Sequence, residues 1–389
     1  MIAAAAVGGI LLASVSLYAV LGGADFGGGL WDLLAGGDQR GHLPRRLIDE
    51  SITPVWEANH VWLVFDLVIF WTAFPDAFAA VMTVLALPLW LAVAGIVLRG
   101  AGFAFRKEVR GLGLQRVLGA VFAFSSLLTP FFMGTVIGAI ATGQVPAHAS
   151  HASLAAWTGV TPLLTGFLFT GACGYLAAVY LRWEADRRGE RSLVAYFTRR
   201  AQAAAIVTGA LSLAAVAELH ASDPVLFSRL TGRALPLVIV AAASGLAVLA
   251  LLTAGRRAGV RVIAALGVAA VIWGWGVAQY PVLLPGTGMT LSSAGAPHST
   301  LVAIVVLAAV AAVTVGPSFA LLFSLHGRQV LHAGDGHAVT ASGDQPGAGL
   351  PGPQRGSPGQ PSAASRAAAL AMAAAVAVVR ALDRRRRER

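Results

Sequence analysis

Nine stretches of this chain stay apolar for about twenty residues or more, and this limits what it can fold into. They run over about 4–24, 53–74, 76–98, 114–142, 154–181, 200–219, 234–254, 260–284 and 299–325. A helix needs roughly 20 apolar residues to cross the hydrocarbon core of a bilayer. Length alone would allow two or three water-soluble domains. Composition overrides that count, because 57% of the 389 residues are hydrophobic and 12% are charged, whereas soluble domains carry roughly a quarter charged residues. The expected class is an all-α polytopic membrane protein. The first run lacks a basic flank at its start and reads as a retained span.

The positive charges alternate with the runs. Seventeen Lys and Arg residues lie in or beside the loops after the first, third, fifth and seventh runs, from Arg40 and Arg45 through Arg99 and Lys107 to Arg257. The intervening loops hold only Arg229 and Arg233. Positive residues mark the cytoplasmic side, so the N-terminus is expected outside and the C-terminus inside. Orientation and contact with anionic membrane lipid account for the net charge of +10, and no nucleic-acid partner is needed.

The chain divides into a membrane domain, 1–326, and a tail, 327–389. The tail is rich in Gly, Pro and Ala, as in GDQPGAGLPGPQRGSPGQPSAAS, a composition that buries no core. It ends in AAALAMAAAVAVVRALDRRRRER. The apolar part, 367–379, is too short to span. A short helix on the cytoplasmic face and a frayed helix in water fit it equally.

Several polar groups interrupt the apolar runs. A carboxylate at the bilayer centre costs roughly 2.5–3.5 kcal/mol on insertion scales, which makes each one a functional candidate. The candidates are Asp25, Glu57, Asp66 and Glu218. Thr53 and Pro54 read as the cap and first residue of the second helix. Glu57 then sits one turn in, and the helix dipole favours it there. Asp66 lies nine residues further, roughly 13 Å deeper at the helical rise. Nine steps put it on the face opposite Glu57, while Asn59, Trp62 and Asp66 share a face. An ion pair with a neighbouring subunit is one reading of Asp66, and Asp66→Leu is expected to be tolerated. His60 neighbours Glu57 and reads as an interior hydrogen-bonded histidine rather than a metal ligand. Glu218, in AELHASDP, reads as a charge at a loop end. The glycines after Asp25 in GGADFGGGLWDLL allow close helix approach. The stretch 273–297, WGWGVAQYPVLLPGTGMTLSSAGAP, reads either as breakers at a helix end or as an outer cap over a partner.

Cys173 is the one cysteine, and the sequence holds no CxxC, CxxCH or HExxH pattern. His60 is the one histidine clearly inside a span. A haem needs an axial His, Met or Cys in a helix interior, and that supply is too thin for a haem-bearing chain.

Four segments taken in order, ADFGGGLWD, ITPVWEANHVWLV, TAFPDAFA and QYPVLLP, resemble subunit II of the cytochrome bd quinol oxidases over about residues 5–325. The resemblance implies nine transmembrane helices, arranged as two four-helix bundles plus one peripheral helix, in a bacterial plasma membrane. It implies a complex that oxidises quinol, reduces dioxygen to water and builds a protonmotive force. The haems, b and d, and the quinol site would belong to the partner, subunit I, and this chain would bind no cofactor itself. Small accessory subunits are also compatible with it. Glu57 takes the acid position of the W-[Asp/Glu]-x-N motif, on a path for cytoplasmic protons toward the oxygen-reducing haem. Asp25 is placed near it, with Trp56, Asn59 and His60 in support. Many relatives carry Gln where this chain has His60, and mostly apolar residues where it has Asp66. A secondary transporter or ion channel subunit is the rival reading, since intramembrane acids and broken helices suit that class too. A purely structural membrane subunit is a third.

Overall fold

The computed structural model describes residues 2–52, 56–108, 112–148 and 150–335. The side chains of 38–40, 52, 56–58, 103, 106–108, 112–116 and 319–335 are outside the description. So are the expected cap, Thr53 and Pro54, and the tail from 336 onward.

Twelve helices form the described fold: α1 (Ile2–Leu33), α2 (Asp38–Ile52), α3 (Trp56–Ala73), α4 (Pro75–Val84), α5 (Ala86–Glu108), α6 (Leu112–Ala141), α7 (Val160–Arg187), α8 (Arg191–Ser222), α9 (Pro224–Thr231), α10 (Leu235–Thr253), α11 (Val260–Gln279) and α12 (His298–Asp335). Among the described residues the one sheet is a two-stranded antiparallel hairpin, β1 (Val282–Leu284) with β2 (Met289–Thr290). Seven helices, α1, α6, α7, α8, α10, α11 and α12, are long and apolar enough to cross a membrane; the bent pair α3–α4 makes eight if it counts as one span. The apolar part of α5, Ala86–Gly102, is shorter.

The run expected over 76–98 is divided at Leu85 into α4 and α5, and a sharp bend separates it from α3. Asn59–Ala73 and Pro75–Val84 are bent by 119° to each other. Pro75 has no N–H to donate, and its ring would clash with the preceding turn if the helix ran on. Phe74 caps α4 in a non-helical conformation, and α5 begins only at Ala86. The segment read as a plain loop after the first span contains α2, whose Leu47 and Ile48 are fully buried in the same core as Trp31, Leu176 and Phe197. The polar surface of α2 hides this short apolar pair from a hydropathy reading.

Helix α1 packs on α3, α6, α7 and α11. A Cβ at Gly27 would lie 1.9 Å from the Cys173 carbonyl oxygen, so the backbones of α1 and α7 meet there. Trp31 Nε1 donates to the Gly174 carbonyl at 2.8 Å and ties the same seam. A second core gathers Phe74, Val84, Val145, Leu284 and Leu301. Leu284 brings the hairpin into it, so part of 273–297 packs back onto this chain.

Candidate functional site

Asp25 on α1 is 9% exposed, and Asn59 on α3 is 2% exposed. Asn59 Nδ2 donates a short hydrogen bond to Asp25 Oδ2. Asn59 Oδ1 is also buried and has no hydrogen-bond partner among the described residues. The pair thus keeps one open acceptor beside a carboxyl.

Arg99 on α5 comes in behind the pair. Its Nη2 donates to the Asp25 backbone carbonyl at 2.7 Å, and its Nε donates to Ser126 Oγ at 3.0 Å. Ser126 in turn donates to the Phe122 carbonyl at 2.6 Å. The guanidinium carbon lies 4.9 Å from the Phe26 ring centre and 5.3 Å from that of Phe122, within cation–π range. Arg99 is 2% exposed. It is therefore a buried positive charge at Asp25 and not the loop cation expected from the charge pattern. One signal was available: Arg99 lies within LRGAG, where small residues allow a neighbouring helix close.

The side chains of Glu57 and Trp56 lie outside the described residues, although both belong to α3. His60 packs at 6.2 Å from the rings of both Tyr18 and Phe26, and its Nδ1 lies 3.5 Å from Tyr18 Oη. Its neighbours are aromatic, as for an interior histidine. Among the described residues no group of three His, Cys, Asp or Glu could hold a metal ion. Glu218 accepts a hydrogen bond from Thr161 Oγ1 at 3.2 Å, far along the chain from this site.

Asp25 and Asn59 also line a cavity of about 360 Å³. Its other polar walls are Ser51 of α2, Tyr180 and Glu184 of α7 and Arg261 of α11. Glu184 accepts from Arg188 Nε at 2.9 Å and lies 3.8 Å from Arg187 Nη1. The Arg261 guanidinium stacks over Trp183 at 3.3 Å. Nearby charges at this end of the helices are paired as well: Arg188 with Glu50, Arg46 with Glu190, and Arg257 with Asp186. The cavity thus joins a buried carboxyl to the arginine-rich end of the helices. Water held beside these polar walls can donate to the open Asn59 Oδ1.

A family model described as cytochrome bd terminal oxidase subunit II matches residues 4–326. Cytochrome bd ubiquinol oxidase subunit 2 of Bacillus subtilis (strain 168) is 31% identical over 156 residues, 39% of this chain and 45% of that protein. Cytochrome bd-I ubiquinol oxidase subunit 2 of Escherichia coli (strain K12) is 28% identical over 198 residues, 49% of this chain and 50% of that protein. The chain thus spans about half the length of the curated relatives it matches. A chain in the structure of bd oxidase from Geobacillus thermodenitrificans superposes with a TM-score of 0.67 at 21% identity, covering 84% of this chain and 98% of that one. At that identity the likeness is one of fold.

Proposed function

From the premise that this chain belongs to the cytochrome bd terminal oxidase subunit II family, we propose that it is the haem-free partner of a haem-bearing subunit I in a quinol:dioxygen oxidoreductase. The complex oxidises membrane quinol, reduces dioxygen to water and builds a protonmotive force across a bacterial plasma membrane. This chain carries cytoplasmic protons toward the oxygen-reducing haem of its partner. The observation that supports its part is the buried Asp25–Asn59 pair, which lines a cavity rimmed by Glu184 and Arg261.

Oxygen reduction consumes protons, and hydrocarbon conducts none. They must travel along carboxyls, amides and held water. Asp25 can take up a proton and release it. Asn59 can donate to the carboxylate through Nδ2, and its free Oδ1 can accept from water. Arg99 anchors the backbone of Asp25 and supplies a positive charge close to it. Glu57, two residues before Asn59 on α3, is the first carboxyl of the path on the strength of the W-[Asp/Glu]-x-N motif. Trp56, Asn59 and His60 support it.

No haem ligand is assigned to this chain, because His60 is engaged with Tyr18 and Phe26 and Cys173 is buried at the α1–α7 contact. Counting the bent pair α3–α4 as one span and the apolar part of α5 as another gives nine spans, in keeping with two four-helix bundles and a peripheral helix. The N-terminus lies outside, and the tail from 327 lies in the cytoplasm.

The test is to tag this chain, co-express it with a haem-bearing subunit I and purify through the tag. A co-purifying haem spectrum with quinol-dependent oxygen uptake is the expected result. Solute uptake into liposomes by this chain alone, with no haem partner retained, would instead favour the transporter.

A further inference from the structure

The α1–α3 seam does not stop being polar at Asp25 and Asn59. On α1, Tyr18 lies seven residues before Asp25 and Ser14 lies eleven before it. At about 100° per residue these three fall within roughly 40° of one another, on one strip. On α3, Asp66 lies seven residues after Asn59 and so faces the same way. The helices pack against each other, and the chain runs in opposite directions along them. Stepping back along α1 therefore matches stepping forward along α3. The first step is Asp25 with Asn59, joined by a hydrogen bond. Next, Tyr18 Oη meets His60 Nδ1 at 3.5 Å. The last is Ser14 with Asp66, which takes the matching place on α3 by its helical spacing. The strip covers roughly 16 Å along α1 at 1.5 Å per residue, away from the arginine-rich end.

The last step is incomplete within this chain. Ser14 is 2% exposed and Asp66 is half-buried. Apart from each other, Ser14 Oγ and Asp66 Oδ1 have no hydrogen-bond partner among the described residues. The exposed apolar side chains of α3, Val61, Val64, Val68 and Trp71, lie on the side of the helix away from Asp66, so Asp66 faces the α1 seam. A carboxyl at the far end of a polar strip, on the face that meets α1, is placed to take a proton from that strip.

We propose that Asp66, seated against Ser14, is a second proton-holding station, beyond the Asp25–Asn59 pair on the same seam. This rests on the proton-path reading above. The step is a proton transfer and nothing more. The Asp66 carboxyl breaks its O–H bond to an acceptor further along, then forms a new one with a proton from the Tyr18–His60 side. No electron moves in this chain. Quinol is the reductant and dioxygen the oxidant of the complex, and their reaction sets the proton demand.

The test uses the complex purified with its haem-bearing partner, carrying Asp66→Asn, Asp66→Leu, Asp66→Glu or Ser14→Ala. The haem spectrum reports assembly. With full haem content, oxygen uptake should fall about tenfold or more in Asp66→Asn and Asp66→Leu, the reverse of the tolerance of Asp66→Leu expected from the sequence, because a proton-transfer group is lost. Asp66→Glu should keep most of the rate. The reduced-minus-oxidised infrared spectrum should contain a carboxyl C=O band that shifts in heavy water, moves in Ser14→Ala and vanishes in Asp66→Asn. A parental rate in Asp66→Leu, with every carboxyl band still present in Asp66→Asn, overturns the proposal. So does loss of the partner from both Asp66 variants, which would make Asp66 an interface charge. Asp25→Asn separates the two readings. If it slows turnover while Asp66→Leu does not, only the second station fails. If Asp25→Asn is itself silent, the path reading fails with it.

Discussion

Asn59 of α3 donates a hydrogen bond to the carboxylate of Asp25 of α1, thirty-four residues earlier in the chain, and both side chains are buried. The bond ties the two helices together and presents a carboxyl with an adjacent amide to a cavity that also has Glu184 and Arg261 in its wall. Removing Asn59 therefore has two separable consequences. Asn59→Leu should destabilise the complex by about 1–3 kcal/mol, the range for leaving a buried polar partner unpaired. Thermal inactivation of the detergent-solubilised complex measures this. Oxygen uptake should fall as well, at temperatures where the complex is still intact. An unchanged melting curve together with parental turnover would show that the bond matters to neither.

Glu57→Gln keeps the shape and the hydrogen bonding of the side chain but removes its titratable proton. Oxygen uptake should drop at least about tenfold, in line with loss of a proton-transfer group, while the haem spectrum stays that of the assembled complex. Glu57→Asp should retain part of the rate, because the carboxyl survives on a shorter arm. Normal turnover in an assembled Glu57→Gln complex would remove Glu57 from the path.

Arg99→Lys keeps the charge but loses the fork that reaches the Asp25 carbonyl and Ser126 Oγ together. A lysine can satisfy one of the two, and its compact ammonium spreads less well over Phe26 and Phe122. Stability should fall by on the order of 2 kcal/mol, the worth of one hydrogen bond to a charged group. Arg99→Gln should lose more. Comparing both variants with Ser126→Ala in chemical or thermal denaturation checks the order. Equal stability of Arg99→Lys and the parent would mean that the fork is not used.

Gly27→Ala puts a methyl group where the Cys173 carbonyl oxygen already stands, 1.9 Å away. Backbone cannot yield as a flexible side chain can, so α1 and α7 must separate. Destabilisation of about 1–3 kcal/mol is expected for such overpacking, with reduced yield of the purified complex. Gly245→Ala on α10 is the control, since nothing lies within 4 Å of a Cβ there. Identical yield and melting of the two variants would contradict the close α1–α7 contact.

Purified without its partner, this chain should show no stoichiometric haem in a pyridine haemochrome assay, whereas the pair should. His60 is the ligand to test, with its ring packed between Tyr18 and Phe26. Haem bound to the isolated chain and lost in His60→Gln would overturn the haem-free assignment.

Membrane class could be read directly from the sequence, because a span must satisfy its own backbone hydrogen bonds within one apolar segment. The apolar runs therefore mark α6 and α10 to within about two residues, while α1 and α12 run nine or ten residues beyond the expected ends. Pro75 was equally visible, but how far it turns the chain was not. The angle depends on what Phe74 and α4 pack against, here Val145, Leu284 and Leu301. The motif acids could also be picked out, since a charge in hydrocarbon is costly enough to stand out. Helical spacing put Asn59 and Asp66 on one face of α3. It could not say that α1 covers that face with Asp25, Tyr18 and Ser14. Arg99 shows the limit most clearly: the charge pattern counts it as a loop residue, and the fold buries it against Asp25. Lipid and helix partners are both apolar, so a spanning helix has no polar face to reveal which side meets a neighbour. Apolar composition and the chemistry of single residues are local properties and are written in the sequence; helix-to-helix pairing is non-local, and only close packing at residues such as Gly27 decided it.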